Sequence, residues 1–396
     1  MCGIFGYISS IKNRPDRFKL INATNELKHR GPDNFGYYEN TSKNYIFLGH
    51  QRLSIIDLDS AANQPMVSDD NRFVLIYNGE IYNYLYLRNY LINNYNTSFK
   101  TNSDTELLLS LLIAVGIEKS LQLLDGMFAF CFYDNLRNQL IISRDRVGEK
   151  PLYLYFNKDY ISFSSELKSF KKLPNFQKSL KFELINNYFF LNYIPAPQSI
   201  FSNTFKLPQS TYMTLNLDKL KFRSYDNFNE VLNDDHISIT QYWDCYNIND
   251  KQIPFLEAMN VTENLLYQSI EEKLISDVPI CTFLSGGVDS SLIASLLSKI
   301  NNKIDTFTVQ FNDDEYDEST DASEISSYLG LKNYKLNITK NEINNSISLL
   351  PDIYSEPFAD SSQIPTFLIS KKIKENATVA LGGDGGDELF GGYYRY

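Results

Sequence analysis

The sequence predicts two domains in series: a β-rich α+β domain over residues 2–215, then an α/β domain with a parallel, doubly wound sheet over residues 253–396. Three observations carry this. The first half is built of short apolar runs separated by tight-turn sequences, with few helical stretches. After residue 253, apolar strands alternate with amphipathic helices. A chain of 396 residues is also too long for one ordinary core.

In order along the chain, Ile4–Ile8, Tyr45–Gly49 and Val74–Tyr77 read as strands. Met127–Phe132 and Leu140–Ser143 flank a turn at Asp134–Asn135, and Leu152–Phe156 and Tyr160–Ser164 flank another at Asn157–Asp159, giving two hairpins. Two helices interrupt them, Asp16–Lys28 and the strongly apolar Glu106–Leu124. Residues 216–252 are polar and rich in Asn and Asp, and read as a linker. A long surface loop of the first domain is the alternative. Phe255–Ile275 then places Leu256, Met259, Leu266, Ile270 and Leu274 at helical spacing. Val278–Leu284, Thr306–Phe311 and Ala377–Leu381 read as buried strands, with helices at Asp289–Ile300 and Glu318–Leu329.

Composition narrows the function classes. Hydrophobic content of 43% with 21% charged residues is that of a soluble globular protein. A net charge of −11, with no basic run, argues against a nucleic-acid partner. No apolar run reaches the roughly 18 residues of a membrane span. The amino terminus does not read as a signal peptide, so a cytoplasmic location is expected. The 28 Tyr and 27 Phe read as packing residues. Cys2, Cys131, Cys245 and Cys281 form no metal-binding spacing with His29, His50 or His236.

Cys2 directly follows the initiator Met. Removal of Met1 would give Cys2 a free α-amine, whose pKa of about 7.7–8.0 makes it a competent base at neutral pH. Thiol and base would then share one residue, and no catalytic His is required. Around Cys2 stand Arg30-Gly-Pro-Asp33, His50-Gln-Arg-Leu-Ser54, Tyr77-Asn-Gly-Glu80, Ser103-Asp-Thr-Glu106 and Arg144-Asp-Arg-Val-Gly148. With these motifs the first domain resembles the class II, N-terminal-nucleophile glutamine amidotransferases, which implies an αββα sandwich. By that resemblance Cys2 attacks the glutamine side-chain amide, Asn78 and the Gly79 N–H form the oxyanion hole, Arg52 clamps the α-carboxylate in bidentate fashion, and Glu80 and Asp104 receive the α-ammonium. Ser103-x-x-Glu106 also reads as a capping box, and Asn78–Gly79 as a plain turn. His29 and His50 read as structural.

In the second half, Leu284-Ser-Gly-Gly-Val-Asp-Ser-Ser291 joins a buried strand to a helix. Glycines let a backbone approach an anion, and a helix start favours phosphate. There is neither a GxxxxGK[ST] nor a GxGxxG motif. The pattern resembles the PP-loop of ATP pyrophosphatases. That likeness implies ATP binding through Leu284, Ser285, Gly286, Gly287, Asp289 and Ser290, an adenine contact at Val309, and a further loop at Gly382 and Gly383. Asp289 and Asp387 are the implied Mg²⁺ ligands. Both halves together resemble the glutamine-hydrolysing asparagine synthetases. Glu356-Pro-Phe-Ala-Asp360 matches the segment this family uses near its aspartyl substrate. Gly382 stands where the family usually has Ser.

The family's synthetase domain continues beyond the equivalent of Tyr396, so this one reads as partial. The resemblance implies glutamine, ATP and aspartate as substrates and an aspartyl-AMP intermediate amidated by ammonia. Another carboxylate acceptor, a sugar acid or peptide, is one alternative. A glutaminase-only or non-catalytic fragment completed by a partner chain is the other. A homodimer is also compatible with the sequence.

Overall fold

In the computed structural model, residues 1–246, 252–301, 303–311 and 317–393 are described. The chain falls into two units, Met1–Asn249 with Tyr354–Ala359, and Asp250–Ile353 with Asp360–Tyr396.

The first unit contains β1 (Gly3–Ser9), α1 (Arg17–Asn25), β2 (Asn34–Asn40), β3 (Tyr45–Arg52), β4 (Met66–Val67), β5 (Phe73–Ile81), α2 (Tyr84–Tyr95), α3 (Asp104–Leu123), β6 (Gly126–Asp134), β7 (Gln139–Arg144), β8 (Tyr153–Phe156), β9 (Tyr160–Ser164), α4 (Ile185–Leu191), β10 (Thr204–Lys206), β11 (Thr211–Asn216), α5 (Phe228–Leu232) and β12 (Ile237–Gln241). Two six-stranded sheets form, in the orders β10-β8-β9-β1-β3-β2 and β12-β11-β7-β6-β5-β4. Their paired strands run antiparallel.

Period-two alternation in β1 sets the layering. Ile4 and Ile8 point into the core between the sheets, with Ile46, Leu48, Ile76, Cys131 and Ile142. Phe5 and Tyr7 face the other way, onto Leu20, Ala23 and Leu27 around α1. The many aromatics are spent here: Tyr7 stacks on Tyr160 with ring centres 4.6 Å apart. On the outer side of the second sheet, α3 packs against β5 and α2 against α3. The result is an αββα sandwich.

The second unit contains α6 (Phe255–Lys273), β13 (Ile280–Phe283), α7 (Val288–Ile300), β14 (Asp305–Phe311), α8 (Ser319–Leu329), β15 (Asn333–Ile338), α9 (Lys340–Ile347), α10 (Leu350–Ile353), α11 (Gln363–Ile373), β16 (Val379–Leu381) and α12 (Gly386–Phe390). Its sheet has the order β15-β14-β13-β16, with parallel pairing throughout. Ile270 of α6 and Leu296 and Leu297 of α7 form one cluster. Ile369 and Ile373 of α11 pack with Cys281 and Phe307 in another. This is the doubly wound arrangement.

Two expectations need correction. Residues 216–252 are not a plain linker: Ile237–Gln241 pairs antiparallel with β11, and Phe228 and Val231 of α5 join the core. Residues 247–251 of that stretch lie outside the described residues. The helix predicted at Glu106–Leu124 starts at Asp104 and is broken at Gly116, whose φ of 79° only glycine adopts without strain. Among the described residues, no helix is long and apolar enough to cross a membrane.

Candidate active site

In the first unit the predicted residues converge because neighbouring strand ends meet. Gly3 pairs with Gln51, so Cys2 lies beside the end of β3. Cys2 Sγ sits 3.4 Å from the Leu53 N–H and 3.7 Å from the Leu53 carbonyl oxygen. Its carbonyl accepts from Arg30 Nε at 2.9 Å. Arg30 is held in turn by Glu166, at 3.0 Å, which also binds His29 at 2.8 Å and Lys168 at 2.9 Å. Burial would raise the Glu166 carboxyl, but the His29 hydrogen bond and the nearby cationic charges hold it down to about 2. It is thus a fixed anion that locks Arg30 onto the backbone of the nucleophile.

β5 brings Asn78, Gly79 and Glu80 to the same region. The two sheets are pinned together here by His50 Nε2, 3.0 Å from the Tyr77 carbonyl. Burial drives His50 down to about 3, so the imidazole is neutral and acts as a bracket. The Asn78 side chain is fully buried, yet among the described residues neither its carboxamide oxygen nor its nitrogen has a hydrogen-bond partner. A buried amide left unpaired costs roughly 1–3 kcal/mol, so such a group calls for an occupant. Next to it, a methyl group on Gly79 would fall 2.0 Å from the Met127 carbonyl oxygen, so only glycine fits.

Asp104 begins α3. One of its oxygens accepts from the Tyr77 hydroxyl at 2.8 Å and from the Ile81 N–H at 3.2 Å. Burial raises Asp104 to about 6 against those hydrogen bonds. Glu80 is raised to about 7, first by burial and then by the charge of Asp104. A buried carboxyl whose ionisation a second carboxylate discourages is suited to a cationic partner. The capping reading of Ser103 is half realised. Ser103 Oγ accepts from the Glu106 N–H at 3.2 Å, but the Glu106 carboxylate turns to the backbone of Lys100 and Thr101.

Arg52 is buried close by. Its terminal nitrogens already donate to the carbonyls of Ile56, Asp57 and Asp59 and to Asn63 Oδ1. A two-pronged grip on a carboxylate would require those loop carbonyls to give way.

In the second unit the Leu284–Gly287 loop follows β13, and the Gly382–Gly386 loop follows the neighbouring strand β16. Both therefore lie outside the carboxyl ends of adjacent parallel strands, next to β13, where the chain order switches sides. Ser285 Oγ and Ser290 Oγ are 2.8 Å apart, and the Gly287 N–H donates to Ser285 Oγ at 3.1 Å. The Gly286 N–H donates to Glu318 Oε2 at 3.1 Å, so a carboxylate occupies one anion position of the loop. The two loops touch: a methyl on Gly386 would lie 2.3 Å from Asp289 Oδ2, and one on Gly383 2.9 Å from Asp289 Cβ. Val309 is half-buried in β14, opposite Leu336. Asp384 lies against Gly382, and Asp387 against Gly392. Among the described residues, no group of three or more His, Cys, Asp or Glu side chains is arranged to hold a metal ion.

Glu356 does not sit in the second unit. Residues Tyr354–Ala359 belong to the first, where Glu356 accepts from Ser199 Oγ at 2.7 Å and the Ile200 N–H at 2.8 Å, and pairs with Lys206.

Glu166 and Lys150 were not singled out from the sequence. Their contacts to Arg30 and Met1 span 136 and 149 residues, and no local signal marks them.

The glutamine amidotransferase domain family matches residues 1–226, and the asparagine synthase family matches residues 262–396. A protein of Methanocaldococcus jannaschii named as a glutamine-hydrolysing asparagine synthetase is 35% identical over all of this chain and 76% of its own. Asparagine synthetase (glutamine-hydrolysing) 1 of Bacillus subtilis is 33% identical, over all of this chain and 59% of its own. A solved glutamine phosphoribosylpyrophosphate amidotransferase from B. subtilis aligns with a TM-score of 0.42 at 15% identity, over 92% of this chain and 70% of that one. The first unit is a glutamine amidotransferase domain. The chain as a whole belongs to the glutamine-hydrolysing asparagine synthetase family, spanning about three quarters of the first relative and three fifths of the second.

Proposed function

We propose that this chain hydrolyses glutamine at Cys2 and supplies the ammonia to a carboxylate activated with ATP, aspartate being the acceptor and asparagine the product. With Met1 removed, the Cys2 amine takes the thiol proton as Sγ bonds to the glutamine amide carbon. The carbonyl electron pair moves onto oxygen, where the Asn78 Nδ2–H and Gly79 N–H receive it. Collapse expels ammonia with the proton returned by the amine, and water then cleaves the thioester. Glu80 and Asp104 hold the substrate α-ammonium, and Arg52 takes its α-carboxylate once the loop carbonyls of Ile56, Asp57 and Asp59 give way.

In the second unit, Leu284, Ser285, Gly286, Gly287, Asp289, Ser290, Gly382 and Gly383 form the nucleotide site, with Val309 at the adenine. Glu318 must leave the Gly286 N–H when a phosphate oxygen takes its place. Mg²⁺ is typically bound through one or two carboxylates plus substrate phosphates, so Asp289 beside the loop fits it, with Asp387 as the second candidate. The cation would neutralise charge on the pyrophosphate.

The observation that carries the glutaminase reading is the buried carboxamide of Asn78, without a hydrogen-bond partner among the described residues and two residues before Glu80, whose charge, like that of Cys2, acts on the amino terminus. For the synthetase reading the test is ATP–pyrophosphate exchange on this chain. Aspartate is expected to stimulate exchange over an ATP-only control. Exchange driven by another carboxylate instead would move the acceptor assignment, and silence with every acceptor would remove the adenylation step.

A further inference from the structure

The Arg144–Lys150 turn is more elaborate than a loop joining two strands requires. The Asp145 carboxylate accepts from the backbone of Phe128 at 3.2 Å, Glu149 at 2.9 Å and Lys150 at 2.9 Å. Arg144 donates to the carbonyls of Lys150 at 2.8 Å, Gly148 at 2.7 Å and Leu207 at 2.8 Å. Lys150 is therefore fixed through both its N–H and its carbonyl. Its side chain is buried, an unusual state for lysine. The ammonium ends 2.9 Å from Met1 Sδ, and Arg30 Nη2 reaches the same sulfur at 4.0 Å. Two cations are thus aimed at the very start of the chain, where thioether sulfur is only a weak acceptor.

We propose that this turn exists to hold the Lys150 ammonium beside the amino terminus, where its positive charge keeps the α-amine of processed Cys2 in the free-base form. Lys150 is a positioning residue on this account, and the inference rests on the glutaminase reading above. The groups acting on the amino terminus are the Cys2 thiol, Arg30, Lys150 and Glu80. Glu149, Asp145, Arg30 and Glu80 act on Lys150 itself, and Asp104 and Arg52 act on Cys2. In the unprocessed chain the terminal amine is lowered to about 6, first by burial, with Arg30 and Lys150 adding to the effect and Cys2 and Glu80 opposing it. A neighbouring like charge disfavours protonation.

The test is the pH dependence of kcat/KM for glutamine hydrolysis in the parent chain and in Lys150→Met, Lys150→Gln and Lys150→Arg. Neutral substitution is expected to move the acidic limb upward by about one pH unit, costing up to about tenfold on that limb while the alkaline plateau is kept. Lys150→Arg is expected to keep the parental limb. A limb that stays put in both neutral variants would overturn the proposal, as would a uniform fall at every pH, which marks a purely structural role. Methionine matches the buried stem of lysine, so it guards against loss of folding. Absence of glutaminase in the parent chain, or its retention in Cys2→Ala, would instead overturn the underlying reading.

Discussion

Cys2→Ala is expected to abolish glutamine hydrolysis, by at least about 10⁴-fold in kcat, with little change in thermal unfolding. Removing a nucleophile leaves only the catalysis that oriented binding and the oxyanion site provide. The loss should be this large because the thiol is set up to react only with help. Burial pushes the Cys2 thiol up, and the charge of the amino terminus and the Leu53 N–H draw it only part of the way back. At neutral pH the sulfur therefore carries its proton and depends on an adjacent base. His50 and His29 are engaged elsewhere, on the Tyr77 carbonyl and on Glu166. Ammonium salts should bypass the defect and restore product formation from aspartate and ATP. A Cys2→Ala chain that still releases glutamate from glutamine would exclude the mechanism.

Asn78→Ala should lower kcat by about 10²–10³-fold with a much smaller effect on KM, because an oxyanion donor acts on charge that develops only in the transition state. The stability prediction separates this from a packing role. The Asn78 carboxamide makes no hydrogen bond among the described residues, so its removal forfeits none. The unfolding free energy should stay within about 1 kcal/mol of the parent. Steady-state kinetics beside a denaturant melt would check both. A marked loss of stability with kcat intact would make Asn78 a structural residue.

Most central strands were legible in the sequence and most edge strands were not, the edge strand β16 being an exception. β1, β3 and β5 to β9 carry continuous apolar runs because they have neighbours on both sides and are covered on both faces. The interior strand β11 also went unread, β4 and β10 are only two and three residues long, and the longer unread strands β2, β12 and β15 all lie at sheet edges. Their residues are half-exposed or polar, as in Asn34–Asn40 and Ile237–Gln241, so no continuous apolar signal arises. Helix α2 escaped notice because seven of the twelve residues of Tyr84–Tyr95 are Tyr or Asn, weak helix formers that dilute Leu85, Leu87, Arg88 and Leu91. Of the site, Cys2, Arg52, Asn78, Gly79, Glu80 and Asp104 stood in short motifs at strand or helix ends. What the sequence could not show is what each side chain holds: Arg52 spent on its own loop, Glu166 locking Arg30, and Lys150 reaching Met1.

The sharpest single measurement pairs the intact mass of the purified chain with its rate of glutamine hydrolysis. Activity is expected to track the fraction of molecules that begin at Cys2, and to vanish where Met1 is retained. A preparation that keeps Met1 throughout and still turns over glutamine at full rate would show that the terminal amine is not the base.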